Sequence, residues 1–326
     1  MTDPATDQQP LLSTTPDLPV ALAKPEQHRL TEMFFGPEGL RSGWGFALYL
    51  ALVVAMVMAA RFLMHPMMHR LKGTVWQFLA QELIFVTCAV LPAVVLSWIE
   101  KRPFGSYGLP ARGAFGKKFA WGVVWGFVAL SLLLIALRGS NAFYFGSVGV
   151  HGIQAVKFGM FWALVFLLVG FFEEFLFRGY SLFTLTRGMG FWPTALLLSG
   201  IFGYVHLGNE GESWRGALAA GLIGLFFCFT VLRTGNLWFA VGLHTSWDWA
   251  ESYFYGVPDS GMLVQGHLLN PSFHGPAWLT GGTVGPEGSV LVFMVIGILF
   301  AVFHVTHPPM QDLSAASPSL TPTNMG

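Results

Sequence analysis

Residues 158–184 read FGMFWALVFLLVGFFEEFLFRGYSLFT, and this stretch decides the fold. No charge occurs from Phe158 to Phe172, and then Glu173, Glu174 and Arg178 fall among aromatic residues. An apolar run near 20 residues crosses about 30 Å of hydrocarbon at 1.5 Å per residue, so the stretch is expected to be a transmembrane helix. Seven more segments of this kind flank it, near 43–64, 76–98, 119–137, 191–208, 215–232, 236–254 and 289–305. The expected fold is therefore all-α: a polytopic transmembrane helical bundle of about eight spans, with the active site inside the bundle.

The composition agrees. Of the 326 residues, 54% are hydrophobic and only 10% charged, against roughly 25% charged in soluble chains. Mean hydropathy is +0.58. With 17 basic and 17 acidic residues the net charge is zero, which removes the electrostatic footprint of a nucleic-acid binder and leaves the lipid bilayer as the expected partner. The two cysteines, Cys88 and Cys228, each sit in an apolar run and read as packing residues.

Three regions follow. Residues 1–42 are polar and proline-rich and are expected to be a flexible cytoplasmic segment, 43–307 the transmembrane domain, and 308–326 a flexible tail. The first apolar run starts only at Gly43, so it is expected to act as an uncleaved anchor. The stretch from Phe254 to Gly288 carries eight glycines and four prolines and reads either as a lid over a site or as a poorly ordered spacer. In an eight-span arrangement Lys24, Arg29, Arg41, Lys101, Arg102, Arg112, Lys117, Lys118, Arg178, Arg187 and Arg233 fall on one side, which places both termini in the cytoplasm.

Ionisable groups inside a membrane are expensive and mark function. Helix positions four apart share a face, so Glu174 is expected to pair with Arg178 as structural support. Glu173, about 100° away, is left as an unpaired acid aimed at the bundle centre. The segment 191–208 supplies His206. With a turn at 187–190, Glu173 and His206 each lie about 16 residues away, roughly 25 Å of helix, and should share a depth. His244 and Asp248 are again four apart and share a face. Two histidines and two acids in low dielectric can build a metal site or a metal-free general-base site. A His–Asp pair beside a separate Glu–Arg pair would balance the charges but leaves Glu173 and His206 without a role. Glu82, a lone acid in the second segment, is assigned no role; the tract His65-Pro66-Met67-Met68-His69 sits at a span end and reads as interfacial.

The Glu-Glu-x-x-x-Arg run at Glu173, Glu174 and Arg178, the Phe-x-x-x-His of Phe202 and His206, and the His-x-x-x-Asp of His244 and Asp248 resemble, in order, the motifs of the type II CAAX prenyl endopeptidase and bacteriocin-processing family, also called CPBP or Abi. The motif core covers about 158–254. The resemblance implies an intramembrane endopeptidase acting on a membrane-associated or hydrophobic peptide, in a membrane of bacterial cytoplasmic type. It implies that Glu173 activates water, that His206 and His244 bind a metal or polarise the scissile carbonyl, and that Asp248 completes the site. A divalent metal, zinc above others, would be held by His206, His244 and Asp248. Asparagine is common at the last position, and an ionised Asp248 cannot donate to an oxyanion as an amide does. The zinc-protease helix His-Glu-x-x-His is absent from the sequence. A non-catalytic scaffold of the same fold and a proton-coupled transporter are the rival readings, and the latter predicts two similar halves that the sequence lacks.

Overall fold

In lipid a backbone must satisfy its own hydrogen bonds, so a long apolar run has the helix as its one economical state. The computed structural model describes residues 33–36 and 39–309. After a two-residue ladder of β1 (Phe35–Gly36) and β2 (Gly39–Leu40) come α1 (Ser42–Leu63), α2 (His65–Leu71), α3 (Trp76–Ile99) and α4 (Lys117–Gly139). Strand β3 (Phe143–Val148) leads into α5 (Gly152–Glu174), which continues through a π-helical turn, Phe175–Tyr180, into α6 (Ser181–Met189). Then follow α7 (Phe191–His206), α8 (Trp214–Thr234) and α9 (Trp238–Asp248) with a second π turn, Trp249–Phe254. Strand β4 (Leu269–Phe273), the short α10 (Ala277–Thr280) and α11 (Leu291–Thr306) complete the chain. Most of the tail 308–326 and most of segment 1–42, expected to be flexible, lie outside the described residues, as do Lys24 and Arg29.

The bundle is mostly helical, as expected, and all eight apolar segments are helices. Among the described residues five helices are long and apolar enough to cross a membrane, namely α1, α3, α4, the 38-residue unit Gly152–Met189 and α8, so length alone does not confirm the expected count of eight. Helices α7 and α11 stop at 16 residues, about 24 Å, and α9 has 11 before its π turn. Hydropathy reports composition, whereas helix length here is set by breaks such as Gly190 (φ 82°) and Gly235 (φ 74°). Large apolar side chains crowd the outside, among them Phe62, Trp98 and Met160, as suits a lipid-facing surface.

The connections fall alternately at two ends of the bundle. At one end, Arg187 Nη2 meets Glu100 Oε2 at 3.0 Å, the Leu237 amide donates to the Gly108 carbonyl and Lys118 Nζ donates to the Thr234 carbonyl. At the other, the Gly149 amide donates to the Leu268 carbonyl, and β3 pairs antiparallel with β4, Phe143 opposite Phe273 and Val148 opposite Leu269. That ladder was not legible in an all-helical pattern. It needs Gly146, where φ is +69° and a Cβ would sit 1.8 Å from the Asn270 carbonyl oxygen.

Small residues bring the site-bearing helix α9 into backbone contact with its neighbours. A Cβ at Gly122 or Gly126 of α4 would lie 2.2 Å from the Phe239 oxygen or 2.1 Å from the Leu243 oxygen, and one at Gly242 would lie 2.3 Å from the Phe119 oxygen. Gly170 does the same for α5, with Thr245 Oγ1 at 3.0 Å. His244 and Asp248 are thereby held against the helix that carries Glu173. Cys88 and Cys228 are buried and unbridged.

Candidate active site

Helix α5 delivers Glu173 and Glu174 where its regular winding gives way to the π turn, a feature that recurs at functional sites. The glutamates diverge as the helical angle requires. Glu174 is fully buried and its Oε1 accepts from Arg178 Nη1 at 3.2 Å, so the four-residue pair read from the sequence is present. The Arg178 guanidinium lies 4.2 Å from the Phe202 ring centroid and is flanked by Phe177 and Phe227, so aromatic faces supply what further hydrogen bonds do not. Gly224 clears the space: a Cβ there would stand 2.4 Å from Arg178 Nη2.

The same Glu174 oxygen takes a second partner that the spacing did not reveal, His244 Nδ1 at 3.0 Å. With Nδ1 donating to that oxygen, which also accepts from Arg178, the ring is fixed with Nε2 facing Asp248 Oδ2 at 3.6 Å and Glu173 Oε2 at 3.8 Å. Phe227 stacks on the imidazole at 5.3 Å and 17°. Neither Nε2 distance is a direct hydrogen bond, and each leaves room for a bridging water. The Glu173 side chain is 25% accessible, against 0% for Glu174, so it is the acid open to the cavity.

That cavity measures about 360 Å³ and is lined by Glu82, Glu173, His206, His244 and Asp248 together with residues of the 255–290 segment. The turn preceding α7 falls at Gly190, as expected, and Glu173 and His206 meet on one cavity. His206 Nδ1 donates to the Phe202 carbonyl at 2.7 Å, which leaves Nε2 as its free nitrogen. Glu82, given no role from the sequence, is a buried part of the cavity wall. His65 and His69, in contrast, lie on the exposed α2, away from the cavity.

The six motif residues are thus gathered, but the expected metal trio is not. Among the described residues, the group of three His, Cys, Asp or Glu side chains whose ligand atoms all lie within 4.8 Å of one another is Glu251, Asp259 and Glu287, and not His206, His244 and Asp248. His206 ends α7, and its Nδ1 is engaged by the Phe202 carbonyl. The donor types suit zinc; their spacing does not.

The glycine-rich segment expected to be a lid or a spacer is built as part of the wall. Asp259, Ser260, Met262 and Glu287 face the cavity. Burial, reinforced by the carboxylates of Asp248 and Glu287, holds the Asp259 carboxyl well above the usual carboxylate range. Burial also raises Glu287, opposed by nearby His206 and by the Trp247 indole that donates to it at 3.0 Å. In the sequence neither Glu287 nor Asp259 stands out from the glycine-rich stretch Phe254 to Gly288 that contains both.

Residues 155–250 match the family model described as type II CAAX prenyl endopeptidase Rce1-like. The match runs from the start of α5 into the π turn after α9 and contains Glu173, Glu174, Arg178, His206, His244 and Asp248. Over this stretch, under a third of the chain, the protein is similar to that family, in agreement with the three motifs, and the stretch lies within a multi-pass helical membrane protein. No curated protein and no solved structure matches the chain.

Proposed function

We propose that the protein is an intramembrane endopeptidase in which Glu173 is the general base for attack of water on a peptide bond. The observation that carries this reading is the clamped imidazole: Glu174 holds His244 at Nδ1, and Nε2 faces the accessible Glu173 and Asp248 across the gap a water would fill. Glu173 takes the proton of that water as it attacks and passes it to the leaving amine. His244 orients the water and Asp248 steadies His244 from the same helix face. His206 lines the same cavity, where its imidazolium donates from Nε2 to the oxygen of the tetrahedral intermediate.

The cavity also bears on the substrate. Six carboxyl side chains line it, Glu82, Glu173, Glu212, Asp248, Asp259 and Glu287, and no lysine or arginine does. Such a wall supports a hydrophobic peptide that is neutral or cationic near the cut bond over one that brings a carboxylate close to it. Peptide profiling of native membranes with the wild-type protein and with the Glu173→Gln protein tests the proposal. Peptides that appear only with wild type support proteolysis; identical profiles from the two strains favour a non-catalytic scaffold.

A further inference from the structure

Three acids outside the proposed catalytic set meet where the 255–290 segment closes on α9. Glu251 comes from the π turn after α9, Asp259 from the chain leaving that turn, and Glu287 from the 3₁₀ turn Pro286–Gly288 before α11. One carboxylate oxygen from each lies within 4.8 Å of the other two. Glu251 is fully buried, and neither of its oxygens has a hydrogen-bond partner. Asp259 accepts from Ser252 Oγ at 3.2 Å, and Glu287 from Trp247 Nε1 at 3.0 Å and Ser260 Oγ at 3.5 Å. No lysine or arginine pairs with any of the three among the described residues.

A buried carboxylate with no donor is costly, and three side by side compound that cost by repulsion. A cation held among them offsets that cost. Oxygen ligands sit 2.3–2.6 Å from a calcium ion, so two on one ion stand at most about 5 Å apart, a span that the trio already fits. An all-oxygen donor set selects hard cations over zinc or copper.

We propose that Glu251, Asp259 and Glu287 bind a hard divalent cation of the Ca²⁺ or Mn²⁺ class, which fastens the 255–290 segment to α9 one turn beyond Asp248. The site is distinct from the imidazole site, since it contains no histidine and its three acids come from three separate segments. Two of its ligands, Asp259 and Glu287, also face the catalytic cavity, so the ion sets the position of that wall.

The test uses the full chain in detergent, stripped with chelator and titrated with Mn²⁺ by electron paramagnetic resonance, with Ca²⁺ as competitor. The wild type should bind about one Mn²⁺ that Ca²⁺ displaces. Glu251→Gln and Glu287→Gln should each weaken binding by about tenfold or more, because ligand charge count sets affinity in such sites. His244→Ala should bind as the wild type does. Absence of saturable binding at millimolar Mn²⁺ overturns the proposal, as does affinity unchanged in both glutamine variants. Loss in His244→Ala with retention in Glu251→Gln also overturns it, since the ion would then sit at the imidazoles. On the wild type alone, Ca²⁺ should slow proteolytic cleavage within 255–290 and chelator should restore it, and cleavage indifferent to Ca²⁺ counts against the site.

Discussion

Glu174 joins two functions through one oxygen, Oε1, which receives both Arg178 and His244. Removing Arg178 leaves that carboxylate buried without its countercharge, a change that typically costs about 3–5 kcal/mol. Arg178→Ala should therefore lower the yield of folded protein and its melting temperature as well as activity; a monodisperse Arg178→Ala protein with wild-type melting and turnover would contradict the assignment. Gly224→Ala should act in the same direction and more mildly, by about 1–3 kcal/mol, because its methyl group would crowd Arg178 Nη2. The Glu174–Arg178 pair was legible because helical spacing alone fixes it. The bond from Glu174 to His244 was not, since it joins residues 70 apart whose meeting depends on how α5 and α9 cross.

Helix α9 is seated by glycines, and its neighbours read its backbone directly. Gly126→Leu should push α9 away from α4 and carry His244 off its Glu174 anchor, so activity should fall at least as steeply as stability. The check is turnover measured beside thermal unfolding for Gly126→Leu and for a lipid-facing control, Val128→Leu, on the same helix; equal behaviour of the two would show that the close approach is unimportant. At this scale the sequence was informative wherever composition repeats regularly: the borders of α1, α3, α4 and α8 lie within two residues of the apolar runs. It failed where geometry is set by single glycines. Segment 255–290 has no period to read, yet positive φ at Gly256, Gly261, Gly266 and Gly285 folds it into a wall that brings Asp259 and Glu287 to the cavity. Hydropathy likewise marks α7 and α9 as apolar without showing how short they are.

Across the whole molecule, connections alternate between two ends, and the end that gathers Lys101, Arg102, Arg112, Lys117, Lys118, Arg187 and Arg233 also holds Arg41 and His307. Lys and Arg accumulate on the cytoplasmic side, so both ends of the helical domain should face the cytoplasm. Reporter fusions after Gly326 and after Asn209 should report cytoplasm and exterior respectively, and the reverse pattern would invert the orientation. Within that frame the proposed chemistry rests on the accessible Glu173 facing a clamped imidazole. The central claim is that Glu173 activates water, and glutamine keeps its shape while refusing the proton. Single-turnover hydrolysis of a peptide found by membrane profiling, by purified wild-type and Glu173→Gln protein of matched melting temperature, tests it directly. General-base assistance contributes about 10² to 10⁴-fold, so the account predicts a loss of at least that order with substrate binding retained. Cleavage by Glu173→Gln at the wild-type rate would contradict it.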